Sequence, residues 1–260
     1  LIECKEILSI NSDDADTINA AGTIYEKQGL YDKAKEHFLR ALELDQNLVQ
    51  AKINIATLFQ LEGNEEKAND IYTNIAKVHP ENAEVLYRRS ALAFKLKNLD
   101  EAWRYYEYRW KVFPMSKATW PIKNKAVWKG ERGKRVALWR EQGIGDQIVF
   151  LSLVREVKEM CNGLSVYVDP RLRSLCKRAM PEINFVRDIE ELQNVECDYH
   201  LPLGSVPGLI RNDISDFDRT VKGYLKADPQ RVEEIRDELN LTGKTVIGIS
   251  WKSVSETYKT

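Results

Sequence analysis

The chain has little of what builds metal and redox centres. Its 260 residues include four cysteines and three histidines. Cys4, Cys161, Cys176 and Cys197 form no CxxC pair and no metal spacing, so they read as small apolar groups in a reducing compartment. His37, His79 and His200 lie far apart, and no zinc motif is present. No metal and no cofactor is expected. An excess of either charge is also missing: 39 Lys and Arg face 40 Asp and Glu, a net charge of −1. That balance argues against a dedicated nucleic-acid surface. No apolar run approaches the roughly 18 residues of a membrane span. A cytoplasmic location is the expectation.

What is present is a repeat. Ala34, Ala68 and Ala102 are spaced by 34 residues, as are Phe38, Tyr72 and Tyr106. Tyr25 and Phe59 keep the same step, and so do Gly29 and Gly63. The period, small residues and aromatics together resemble the tetratricopeptide repeat. Each unit then reads as two antiparallel helices. Gly22, Ala56 and Ser90 let the first helix approach its partner, and the alanines do the same for the second. Residues 1–12 read as the second helix of an earlier unit. The third unit departs from the pattern. Ala93 replaces the aromatic, Lys97 the glycine and Arg109 a small residue, within an aromatic run of Trp103, Tyr105, Tyr106, Tyr108 and Trp110. This unit reads as a cap and as a glue layer against whatever follows.

From about Lys134 the pattern changes to short apolar runs alternating with helical segments. Strands are expected at 136–139, 164–168, 183–186 and 197–201. Helices are expected at 147–161, 171–180 and 228–240, the last capped by Asp228 with Pro229 in its first turn. Such alternation implies a parallel sheet with helices on its faces. The run 245–250 reads as the first strand of a further domain. The expected division is 1–114 for the repeats, 115–243 for a Rossmann-like α/β domain and 244–260 for the start of the next.

GIGD, residues 143–146, joins the first strand to its helix, at the carboxyl edge where α/β folds bind ligands. Gly143 and Gly145 read as permitting backbone angles and close approaches that a side chain forbids. G-x-G-x-x-G fails at Ile148, and no P-loop is present. Two readings of Asp146 stay open: a helix cap and a catalytic base.

The order of motifs resembles bacterial tetratricopeptide-containing glycosyltransferases of the GT-B fold, with a catalytic part similar to the heptosyltransferases. The residues that carry it are YEYRW, WREQGIGD, DYHLPLGSVPGL, YLKADP and IGISWKS. The resemblance implies a helical solenoid followed by the N-terminal, acceptor-side half of a GT-B fold. It implies transfer of a sugar from a nucleotide-sugar to a glycan or protein acceptor, with a protein or peptide in the repeat groove. Asp146 matches the family's general base, with Gly143 and Gly145 shaping its turn. His200, Gly204 and Ser205 are expected to line the same cleft, and Ser250, Lys252 and Ser253 to start the donor-phosphate loop. His200 also reads as a packed strand-end residue, Ser205 as a helix cap and Lys252 as a surface lysine. Because little of a donor domain is present, this chain by itself is expected to be inactive in transfer. The competing reading is a non-catalytic adaptor whose α/β part only docks.

Overall fold

The computed structural model describes residues 13–113, 120–217, 223–239, 243 and 247. Three helix pairs come first: α1 (Ala15–Lys27) with α2 (Tyr31–Leu44), α3 (Val49–Leu61) with α4 (Glu65–Val78), and α5 (Ala83–Lys95) with α6 (Leu99–Tyr106). No strand lies between 15 and 110 among the described residues. The packing follows the repeat. Ala34, Ala68, Ala102, Phe38 and Tyr72 are fully buried. A Cβ on Gly22 would sit 2.6 Å from a ring carbon of Phe38, so no side chain fits there. Asp14, Asn64, Asn82 and Asn98 cap α1, α4, α5 and α6 by accepting from backbone N–H groups three residues on.

The turn inside each pair needs a left-handed residue. Gly29 and Gly63 supply it at φ 74° and 77°, and Lys97 adopts it at 59°. An L side chain pays roughly 1–2 kcal/mol there, partly set against the extra freedom glycine has when unfolded. Lys97→Gly is therefore expected to stabilise the protein by about 0.5–1 kcal/mol, read as a higher denaturation midpoint at unchanged slope.

The third pair is cut short. α6 has 8 residues where α2 and α4 have 14, and after a turn at Glu107 and Tyr108 the four-residue α7 (Arg109–Val112) follows. The turn swings Arg109 and Trp110 away from the solenoid register.

The α/β part holds five parallel strands: β1 (Ala126–Val127), β2 (Arg135–Trp139), β3 (Gly163–Tyr167), β4 (Asn184–Phe185) and β5 (Tyr199–Pro202), in the order β1-β5-β2-β3-β4. Val136 and Leu138 join the core on one face, Ala137 and Trp139 the aromatic cluster on the other. Such two-sided burial explains why β2 reads as a continuous apolar run. β1 was not expected, because two residues carry no periodic signal.

The expected helix at 147–161 is two: α8 (Ile144–Leu151) and α9 (Val154–Met160). They part at Ser152, whose hydroxyl donates to the Val149 carbonyl at 2.6 Å. Next come α10 (Pro170–Ala179) and α11 (Ile189–Asn194). Beyond β5 lie a 3-10 turn at Leu203–Ser205 and α12 (Pro207–Ile210). The helix α13 (Pro229–Glu238) begins as expected, with the Asp228 carboxylate accepting from Gln230 and Arg231. The helix expected at 1–12 lies outside the described residues, and so does the strand expected at 245–250 except for Ile247, which is exposed and assigned to no strand.

Candidate functional site

β3 and β4 lie on one side of β2, and the chain then returns to place β5 on the other. The carboxyl ends of β2 and β5 thus flank a topological switch point, the usual ligand crevice of such sheets. Here Arg109 of α7 fills it. The guanidinium makes a bidentate pair with Glu141, Nε to Oε2 at 3.0 Å and Nη2 to Oε1 at 2.8 Å. Nη2 also donates to Ser205 Oγ at 2.7 Å, and Nη1 donates to Glu107 Oε1 and the Tyr106 carbonyl at 2.8 and 3.2 Å. All five N–H donors are thereby used. Ser205 Oγ passes its proton toward Glu107 Oε1 at 2.7 Å, and Gly204 N donates to Glu141 Oε1 at 3.0 Å.

The pair is out of solvent: the side chains of Arg109 and Glu141 are 4% and 2% exposed. Burial raises the Glu141 carboxyl above its ordinary value, although Arg109 pulls it down. Burial pulls the Arg109 guanidinium down, and the bonds and charges of Glu141 and Glu107 more than offset it. Beside them the Tyr106 phenol pairs with Gln142 and is pushed up to about 12, mainly by burial. Trp103 Nε1 adds a 2.7 Å bond to the Arg211 carbonyl. The final repeat therefore serves as the expected glue layer against the α/β part.

Asp146 lies one step from this seam. Gly143 is the N-cap of α8, no side chain caps it, and Asp146 is in the first turn. The N-cap reading is thus corrected: Gly143 holds that position, Asp146 is the third residue of the helix, and no side-chain capping bond is made there. Its side chain is exposed. It lines a cavity of about 320 Å³ with Gly143, Glu141, Gln142, Arg109 and Trp110, and with Tyr87 and Phe113 from the repeat side. The glycines need no left-handed backbone, contrary to expectation: Gly143 has φ −60°, and neither is among the positive-φ glycines. A Cβ on Gly143 would lie 3.3 Å from Asp146 Oδ2, while one on Gly145 meets nothing within 4 Å. Gly143 therefore leaves room for the carboxylate, and Gly145 is simply exposed. The loop itself is pinned by the buried Gln147, which donates to the Gln142 carbonyl and accepts from Asp169 N, both at 2.8 Å.

Other expected site residues part company. His200 does not line this cavity. It is 2% exposed, stacks on Trp139 and meets the edge of Trp120. The Trp139 indole donates to its Nδ1 at 3.0 Å. An indole only donates, so the ring proton sits on Nε2. Strand periodicity locates a residue along β5 but not the face it serves. Burial depresses the imidazole below its ordinary 6.5, against the pull of a bond to the Lys125 backbone. A depressed folded-state value contributes stability that is present above 6.5 and lost as pH falls. The melting temperature is expected to drop as pH is lowered below 6.5, and a neutral residue at 200 to flatten that slope.

Gly204 and Ser205 face the Arg109–Glu141 pair, not Asp146. Ser205 is not a cap: Val206 holds that position for α12, without a side-chain bond. Ser250, Lys252 and Ser253 lie outside the described residues. Sequence reasoning missed Glu141, Tyr87 and Gln147. The one available signal was Arg109 in place of a small residue.

Comparisons with known proteins agree with the helical repeats. Residues 15–48 match the family model of the tetratricopeptide repeat. That unit is a tetratricopeptide repeat. Protein FlbA of Caulobacter vibrioides is 25% identical over 187 residues, covering 65% of this chain and 31% of that protein. The chain thus spans about a third of the curated relative it matches. Among solved structures, an O-GlcNAc transferase of Thermobaculum terrenum has a TM-score of 0.39 at 16% identity, covering 71% of this chain and 37% of that one. The Pseudomonas aeruginosa pilF structure has a TM-score of 0.39 at 14% identity, with 60% of each chain covered. Both likenesses are too distant to bear on the site. No described helix is long and apolar enough to cross a membrane.

Proposed function

We propose that the chain is the acceptor-side part of a sugar transferase whose solenoid holds a protein acceptor. The nucleotide-sugar is the donor and Asp146 the general base. One observation carries the reading: an exposed carboxylate, free of any capping role, stands in a cavity walled by both the last repeat and the sheet edge. Transfer to a hydroxyl needs a base within hydrogen-bond reach of that hydroxyl, and a cavity of this size suits a side chain or sugar unit.

The repeats lead toward it. Asn54 donates to Asn19 at 2.9 Å, and Arg88 to Thr57 at 3.0 Å, joining the first helices of successive units. The last of these helices, α5, also supplies Tyr87 to the cavity wall. Stacked helical units of this kind present an extended concave surface that suits a polypeptide.

The test is transfer of labelled sugar from a panel of nucleotide-sugars by the full-length protein, onto a protein that its repeats retain. The second reading, a non-catalytic adaptor, has its own observation: Arg109 occupies the crevice that a ligand would otherwise take. Retention of that protein with no transfer from any donor supports the adaptor.

A further inference from the structure

We propose that a second cavity, on the other side of Trp110 and Glu141, binds a small ring compound that carries an oxyanion. It has a volume of about 540 Å³ and opens at the carboxyl ends of β2 and β3. That volume lies within the range of small-molecule sites. Its walls combine two kinds of group. Trp110, Trp120, Trp139 and Tyr167 supply flat apolar surface. Arg140 and Lys123 supply positive charge at the rim.

The charges are arranged for an anion. Glu141 is the single carboxylate among the lining residues, and Arg109 and Gly204 N already engage it. Arg140 is held in place: its Nη1 donates to Asp169 Oδ2 at 2.8 Å, and its guanidinium lies 5.5 Å from the Tyr167 ring centre. Asp169 in turn is held near pKa 2 by the Arg171 bonds first and by Arg140 after them, so it stays a fixed anion that orients the guanidinium. Among the described residues no bond engages Nε or Nη2 of Arg140. A pre-oriented guanidinium with unused N–H groups is suited to a carboxylate or phosphate. A purely apolar guest would leave Arg140 and Lys123 facing it, and a neutral sugar would give Lys123 and the unengaged N–H groups of Arg140 no charged partner. The inference concerns binding only and does not depend on sugar transfer.

Calorimetric titration of the whole chain distinguishes the cases. The probes are AMP and glucuronate, which offer phosphate and carboxylate on a ring, and adenosine and glucose, which lack the charge. The expected result is saturable binding of AMP or glucuronate, with its neutral counterpart weaker by about tenfold or more. Arg140→Gln should weaken the anion by a similar factor. Lys123→Gln, at an exposed residue, should weaken it less while leaving the fold unchanged by circular dichroism. Whichever anion binds identifies the oxyanion as phosphate or carboxylate. Equal binding of the neutral compounds, no saturable binding of either anion, or unchanged affinity in both variants overturns the proposal.

Discussion

Arg109→Ala is expected to destabilise the protein by about 3–5 kcal/mol, the range for removing one partner of a buried ion pair. The change strands Glu141, whose side chain is 2% exposed and whose remaining bond is to Gly204 N. It also strips Ser205 and the Tyr106 carbonyl of a donor. The loss should fall on the seam first. Hydrogen exchange is expected to speed up at 141–143 and 203–206, while α1–α4 keep their protection. A sign follows from the carboxylate. Burial raises Glu141 already in the intact protein, and without Arg109 it favours the protonated form still more. The deficit should therefore shrink as pH is lowered, since a group with a raised folded-state value contributes stability below it and loses it as pH rises. Arg109→Lys should recover little, because an ammonium cannot reproduce the bidentate fork. Arg109→Met combined with Glu141→Leu should recover much of the loss, since no charge is then buried alone. Denaturant melts of the four proteins check this. With Arg109→Met and Glu141→Leu alone completing the cycle, additive losses in the double variant would show that the two residues act independently.

The solenoid was legible because it repeats the same packing problem. Ala34, Ala68 and Ala102 solve it three times, and a pattern seen three times is readable without a structure. β2 was legible because both its faces are buried. The seam was half legible. Arg109 stood out as a misfit in the repeat, but its partner Glu141 lies 32 residues on in another unit, and an ion pair across two units leaves no periodic trace. His200 was misplaced for a related reason: the run 197–201 shows a buried strand, and only the Trp139 and Trp120 contacts show which side His200 faces. The break between α8 and α9 lies in an apolar stretch with no glycine or proline to mark it. Asp146 was placed on the right edge of the sheet, but its role at the helix start was not, since Gly143 takes the cap without any side-chain signal.

Asp146→Asn is expected to lower sugar transfer by roughly 10²–10⁴-fold, the usual contribution of general acid–base catalysis. The replacement is nearly isosteric and keeps the polar contact with the cavity, but an amide cannot accept the acceptor hydroxyl's proton. Stability should barely move. Asp146 makes no capping bond, so only its favourable interaction with the start of α8 is lost, about 0.3–1 kcal/mol for an exposed carboxylate. Asp146→Ala should lose the same activity at a similar small cost in stability. The direct measurement is the turnover of native protein and its Asp146→Asn variant side by side, with a nucleotide-sugar donor and a protein held by the repeats, alongside their melting curves. The account predicts turnover reduced by at least about 10²-fold with nearly superimposable melts and unchanged retention of the protein partner. Near-normal turnover in the variant would contradict it.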